Sequence, residues 1–79
     1  MNKLQLLSRQ DCHLCDEAAD LIQAASISDQ VEVVDIDIHL DLIRAYGDRV
    51  PVLRTTSGDH ELAWPFGQPE LFNWLVSIK

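Results

Sequence analysis

Cys12-His13-Leu14-Cys15, flanked by Asp11 and Asp16, holds both cysteines of the chain. Two thiols at this spacing can close a disulfide within one helical turn, with the first sulfur at the helix N-terminus. There the unpaired backbone N–H groups and the positive end of the helix dipole favour a thiolate over a thiol. A thiolate beside a second thiol is equipped for exchange: the first attacks a disulfide and the second releases the product. His13 adjoins the first sulfur, and a protonated imidazole there would favour the thiolate further. No other stretch carries comparable chemistry. Glu32, Asp35 and Asp37 crowd three carboxylates together, but no second ligand set lies near them in sequence to complete a cation cage. His39 and His60 are isolated and are expected at the surface.

The elements that must position the cysteines can be read from hydrophobic spacing. Lys3 to Ser8 predicts a strand. Its leucines at 4, 6 and 7 do not alternate cleanly, as befits a strand buried on both faces. Arg9 to Asp11 is a turn, and a helix follows over Cys12 to Ala25. Leu14, Ala18, Leu21, Ile22 and Ala25 give that helix an apolar stripe. Val31 to Ile36 is a β-branched run and predicts a second strand. Asp37 is the expected cap of a helix over Ile38 to Tyr46 that Gly47 ends. Val52 to Thr55 and His60 to Trp64 predict two strands joined by a turn at Ser57-Gly58-Asp59. Pro69 suits the first turn of a last helix, with Gln68 or Gly67 just before it. Leu71, Phe72, Leu75 and Ile78 form that helix's expected apolar face. Trp64 and Phe66 are expected either in the core or along a groove beside the cysteines.

The order is β-α-β-α-β-β-α. A β-α-β start implies two parallel strands joined by a crossover, and the hairpin at Gly58 adds an antiparallel pair. The expected fold is α/β, a four-stranded mixed sheet with helices on both faces, built by residues 1–79 as a single domain. The chain is 47% hydrophobic, which argues for a packed core and against disorder. Thirteen acidic residues against six Lys and Arg leave a net charge of -7, so nucleic acid and anionic membranes are not expected partners. The apolar run at Leu4 to Leu7 is too short for a signal peptide or a membrane span. The expected location is therefore the reducing cytosol, where a Cys-x-x-Cys pair reads as redox or metal chemistry.

The element order, the Cys12-His13-Leu14-Cys15 motif after the first strand, and Val50-Pro51 before the third together resemble the thioredoxin superfamily. The resemblance is to its compact glutaredoxin-like branch and spans essentially the whole chain. It implies a thiol-disulfide oxidoreductase with Cys12 as nucleophile and Cys15 as resolving thiol. It also implies a cis Val50-Pro51 bond opposite the redox helix, where Val50 offers backbone groups to an incoming thiol peptide. Implied partners are protein or small-molecule disulfides, with a monomer as the expected working form. No metal or resident cofactor is implied, and glutathione enters as a co-substrate. Arg49 and Gly67 fall where the family contacts that thiol, and Arg9 is a second cation suited to its carboxylates.

The sequence also departs from the family. His-Leu separates the cysteines where familiar members have Gly-Pro, Pro-Tyr or Gly-His. Gly67 is followed by Gln68, Pro69 and Glu70 rather than by the second glycine and nearby aspartate of the glutathione clamp. Arg49 stands where glutaredoxins often carry threonine. Two other readings stay open at this point. One is a binding or adaptor domain that keeps the fold without turnover. The other is a metal or iron–sulfur module, which would need two further ligands beyond Cys12 and Cys15 from a second copy or from glutathione.

Overall fold

The computed structural model describes residues 4–78. The leucines near the N-terminus form β1 (Leu4–Ser8), an interior strand of a sheet ordered β2-β1-β3-β4. Leu4 and Leu6 pack into one apolar cluster and Leu7 into the other, which explains why they do not alternate with polar residues. Lys3, the expected first residue of this strand, lies outside the described residues.

The first helix, α1 (His13–Ala24), is one residue shorter at each end than the spacing predicts, because Cys12 and Ala25 serve as its caps. Its buried residues are Cys15, Ala18 and Ile22. Leu14 is 45% exposed, so it is not part of the predicted stripe. The stripe begins at Cys15, and Leu14 is rotated onto the outer face of the first turn. The helix ends with Ser26 at φ 62°. The amide of Ile27 reaches the Ile22 carbonyl at 3.5 Å and that of Ser26 the Gln23 carbonyl at 3.0 Å. This is a Schellman arrangement, with Ile27 packing back onto the cluster that contains Ile22.

β2 (Val31–Asp35) runs parallel to β1, with Leu4 opposite Val31 and Ser8 opposite Asp35. The predicted strand stops one residue early and the predicted helix starts late. The Asp35 side chain accepts from the Asp37 amide at 2.9 Å and bends residues Ile36–Ile38 into a 3-10 turn. Asp35 thus caps this turn, and the helix that Asp37 is expected to cap begins instead from His39, whose side chain makes no capping bond. Asp37 instead pairs with Arg9, 2.7 Å away. Ile36 is fully buried and anchors the turn, whereas Ile38 is 76% exposed. The helix itself, α2 (Leu40–Tyr46), packs Leu42, Ile43 and Tyr46 onto the sheet. Gly47 follows it in an ordinary right-handed conformation. Its lack of a side chain matters for space, since a Cβ there would lie 2.6 Å from the Ile43 carbonyl oxygen.

β3 (Val52–Thr55) and β4 (Glu61–Ala63) form the antiparallel hairpin, and β3 also pairs antiparallel with β1. Gly58 turns the hairpin at φ 81°, a conformation that glycine adopts without strain. β4 is shorter than the predicted His60–Trp64. Finally α3 (Gln68–Ser77) starts from Gly67, whose amide donates to the Glu70 carboxylate at 2.8 Å. Leu71 is buried and Trp74, Leu75 and Ile78 are partly buried, but Phe72 is 67% exposed, against expectation. Phe72 follows Leu71 directly, and one residue is a 100° rotation around a helix.

Helices thus cover both faces of the sheet. α1 and α3 meet it through Leu4, Leu6, Ala18, Ile22, Leu53, Phe66 and Leu71. α2 and the turn before it meet the other face through Leu7, Ile36, Tyr46 and Val52. No helix among the described residues is long and apolar enough to cross a membrane.

Candidate active site

β1 is followed by the turn Arg9 to Asp11, which delivers Cys12 to the start of α1. Asp11 takes φ 57°, a left-handed conformation that aspartate tolerates better than most side chains. Cys12 is extended, at φ -104° and ψ 101°, and occupies the cap position. Its sulfur accepts the Cys15 backbone N–H at 3.1 Å, as a serine or aspartate oxygen would in the same place. The helix N-terminus therefore directs a donor at Cys12 Sγ. Ionising Cys12 would strengthen that bond and gain from the dipole.

Cys12 and Cys15 are joined as a disulfide, with their Cα atoms 5.2 Å apart. Their surroundings differ. Cys15 is buried at 5% exposure, beneath the first turn, while Cys12 is partly open to solvent. An incoming thiol or thiolate thus has a path to the first sulfur and little to the second. His13, on the outer side of the turn, is highly exposed. Its ring nitrogen lies 3.8 Å from the Glu17 carboxylate, one helical turn on. Among the described residues its close ionic neighbour is thus an acid on the solvent face.

The sheet brings the Val50-Pro51 turn toward the same end. Leu7 pairs with Val52, and continuing that antiparallel register sets Pro51 beside Ser8, at the end of β1 that leads to the cysteines. The Val50-Pro51 bond is cis, and Pro51 is buried while Val50 is partly exposed. The Trp64 amide donates to the Pro51 carbonyl at 3.2 Å, which ties the end of β4 to the same corner. Trp64-Pro65 is cis as well. Only the X-Pro dipeptide marks that bond in the sequence. Phe66 is core, and the Trp64 ring meets it edge-on at 5.0 Å between centroids.

The remaining predicted residues are placed as follows. Arg49 precedes Val50 and pairs with the Glu61 carboxylate of β4 at 2.8 Å. Glu61 also accepts from the Tyr46 hydroxyl. The hydrogen bond from Tyr46 holds the Glu61 carboxyl below its ordinary value. Partial burial opposes that shift, and Arg49 and then Arg54 add to it. The Arg49 and Arg54 guanidiniums stand 5.1 and 5.7 Å from the Tyr46 ring centre. Arg9 pairs with Asp37 and also donates to the Gly47 carbonyl at 3.3 Å. Gly67 begins α3. That helix is tied to α1 beyond the cysteines, by a bond from Gln68 to the Leu21 carbonyl at 2.9 Å. No motif or spacing in the sequence marks Glu61. Only the strand register, which sets it opposite Arg54, brings it within reach of Arg49 and Tyr46, toward the end of the sheet away from Pro51. Among the described residues no three His, Cys, Asp or Glu side chains converge as a metal cage.

The glutaredoxin-like domain model matches residues 3–76. An X-ray structure of the protein XcR50 from X. campestris is similar, with 46% sequence identity and a TM-score of 0.83 over 94% of this chain and 96% of that one. The solution structure of XcR50 gives 45% identity and a TM-score of 0.80, over 95% of this chain and 94% of that chain. Protein Ne2328 from Nitrosomonas europaea is 32% identical with a TM-score of 0.74, covering 91% of this chain and 88% of its own. No functionally curated protein is significantly similar to the chain. The family match runs through every strand and helix of the mixed sheet and includes the turn that carries the two cysteines, so the chain belongs to the glutaredoxin-like domain family, on a thioredoxin-like fold.

Proposed function

We propose that the protein is a thiol-disulfide oxidoreductase in which Cys12 attacks and Cys15 resolves. In the reduced state the Cys12 thiolate displaces one sulfur of a substrate disulfide. A Cys12–substrate disulfide forms and one thiolate leaves. Cys15, once deprotonated, then attacks Cys12 Sγ, closes the Cys12–Cys15 disulfide and releases the second thiolate. Two electrons pass from the protein to the substrate, and an external dithiol or two monothiols must return them. Substrates are protein or small-molecule disulfides, met by a monomer in a reducing compartment such as the cytosol. Glutathione is the monothiol co-substrate that the resemblance implies. Val50 and the cis Pro51 form the platform along which the substrate backbone lies, with Arg49 at its edge.

The observation that carries this reading is the asymmetry of the pair. Cys12 is partly open at the helix N-terminus with an amide N–H on its sulfur, and Cys15 is buried behind it. The test is trapping. Cys15→Ser accumulates a mixed disulfide on Cys12, seen as a mass shift, and Cys12→Ser forms none. In the Cys15→Ser background, alkylation of Cys12 follows a pH profile below that of an ordinary thiol, because the backbone donors outweigh the exposed carboxylates of Asp11 and Asp16. His13→Ala moves that profile upward if the imidazole contributes. Faster alkylation of Cys15 than of Cys12 in the reduced wild type would reverse the assigned roles.

A further inference from the structure

The two edges of the sheet are not equally protected. β4 is three residues long, and Pro65 lies two residues beyond it. A short edge closed by proline offers little to a passing chain. β2 is five residues long and contains no proline, glycine or lysine. It pairs with β1 on one side, and no strand among the described residues lies on the other. Alternate N–H and C=O groups along that side have no ladder partner. The centre of the strand is open, with Val33 62% exposed, and Ile38 just beyond the strand is 76% exposed. A groove of about 390 Å³ runs beside β2 toward α2. Val34, Ile38 and Leu42 give it apolar walls, and Glu32, Asp35 and Asp41 bring carboxylates to it. Arg54 lines it too, but donates to Gln5 at 3.0 Å and lies against the Tyr46 ring. Among the described residues no cation pairs with Glu32 or Asp41.

We propose that the free edge of β2 is a docking site for an extended polypeptide segment in which apolar and basic residues alternate. The proposal concerns binding and stands apart from the oxidoreductase reading. A guest strand completes the ladder with its main chain, which fixes its conformation but not its sequence. Its side chains fall alternately on the two faces of the sheet. On the face shared by Leu6 and Val33 the neighbour is exposed Val33, which an apolar residue covers. On the face shared by Gln5 and Glu32 the neighbours are Glu32 and the groove. There a Lys or Arg head meets unpaired carboxylates, and its aliphatic stem suits the apolar walls. A second copy of this chain fits worse. Two β2 edges side by side bring the groove carboxylates of both copies together, between chains that each carry a net charge of -7.

The experiment titrates the isotope-labelled full chain with the capped peptide Val-Lys-Val-Lys-Val and follows amide chemical shifts and hydrogen exchange by NMR. The amides of β2 should shift together, and those on its free side should gain protection. The counterpart Val-Glu-Val-Glu-Val should bind at least about tenfold more weakly. The basic peptide methylated at every backbone nitrogen should also lose about tenfold or more, because it cannot donate to the edge. Val33→Lys sets a charge at the centre of the edge and should remove the response to the unmodified peptide. Glu32→Gln provides a check that does not depend on Val33→Lys folding well. It should weaken the basic peptide by about twofold to fivefold, the scale of one exposed ion pair. Equal binding of the acidic peptide, binding that survives backbone methylation, or an unchanged affinity in Glu32→Gln overturns the proposal. Shifts centred away from β2, or no shift at millimolar peptide, overturn it too. Protection of β2 that grows with the concentration of the chain alone, together with a doubled mass in solution, would assign the edge to a second copy and overturn it as well.

Discussion

The two faces of the sheet are built differently. Under α1 and α3 the contacts are apolar from Leu4 to Leu71, and no buried polar side chain interrupts them. Under α2 the cluster is smaller, and its largest member is a tyrosine whose hydroxyl reaches out of the core to Glu61. Around that tyrosine gather Arg49, Arg54 and, through Arg54, Gln5. The first face holds the buried side of α1, including Ala18 and Ile22. The second holds the chain that enters Pro51. One face therefore supplies most of the hydrophobic stabilisation, while the other trades part of it for polar contacts that orient a loop beside the cysteines.

The comparison breaks most readily at Leu53. It is fully buried on the α1 and α3 face, next to Leu6 in the β1–β3 ladder. Leu53→Ala should cost about 2–5 kcal/mol, from lost transfer energy plus the cavity left behind. Urea unfolding followed by tryptophan fluorescence checks this. A loss well under 1 kcal/mol would mean that this face is not the dominant core.

A smaller effect is expected at Tyr46. Tyr46→Phe keeps the ring and removes the hydroxyl that Glu61 accepts, for a loss of about 1 kcal/mol at neutral pH. Its pH dependence follows from the lowered Glu61 value. A depressed carboxyl binds fewer protons in the folded state than in the unfolded state. Its contribution is therefore full above the ordinary carboxylate range and is lost as pH falls through the folded value. Without the Tyr46 hydroxyl the folded value moves back up toward the ordinary one. The gap between wild type and Tyr46→Phe should thus be widest at neutral pH and close in acid. A gap of constant size across that titration would assign the loss to packing rather than to the hydroxyl–carboxylate bond.

The smallest effect is expected where the sequence pattern suggested a core position. Phe72 lies 67% exposed on α3, so Phe72→Ser should change stability by no more than about 0.5 kcal/mol. The same urea titration reads it. A loss comparable with that of Leu53→Ala would place Phe72 in the core after all and undo the contrast between the exposed and buried sides of that helix.

Much of this protein is local physics that a sequence displays. Both cysteines fall at the start of α1 because Cys12 caps it and the apolar spacing from Cys15 to Ala25 continues it. The β-branched run at Val31 makes a strand, Gly58 makes a turn, and the charge balance follows from composition. What tertiary structure decided are the choices that periodicity leaves degenerate. Leu14 and Cys15 both suit an apolar stripe, as do Leu71 and Phe72, but one residue of helix rotation buries one of each pair and exposes the other. Asp35 and Asp37 are both competent caps. Asp35 caps the short turn that buries Ile36, α2 starts later from His39, and Asp37 is left to meet Arg9. The pairing of Arg49 with Glu61 spans a strand and a hairpin, and only the β3–β4 register brings the two charges together. Local spacing encodes which residues can do chemistry. Which charges remain free to act on a substrate is set by contacts between segments distant in the chain, and sequence spacing carries no record of those.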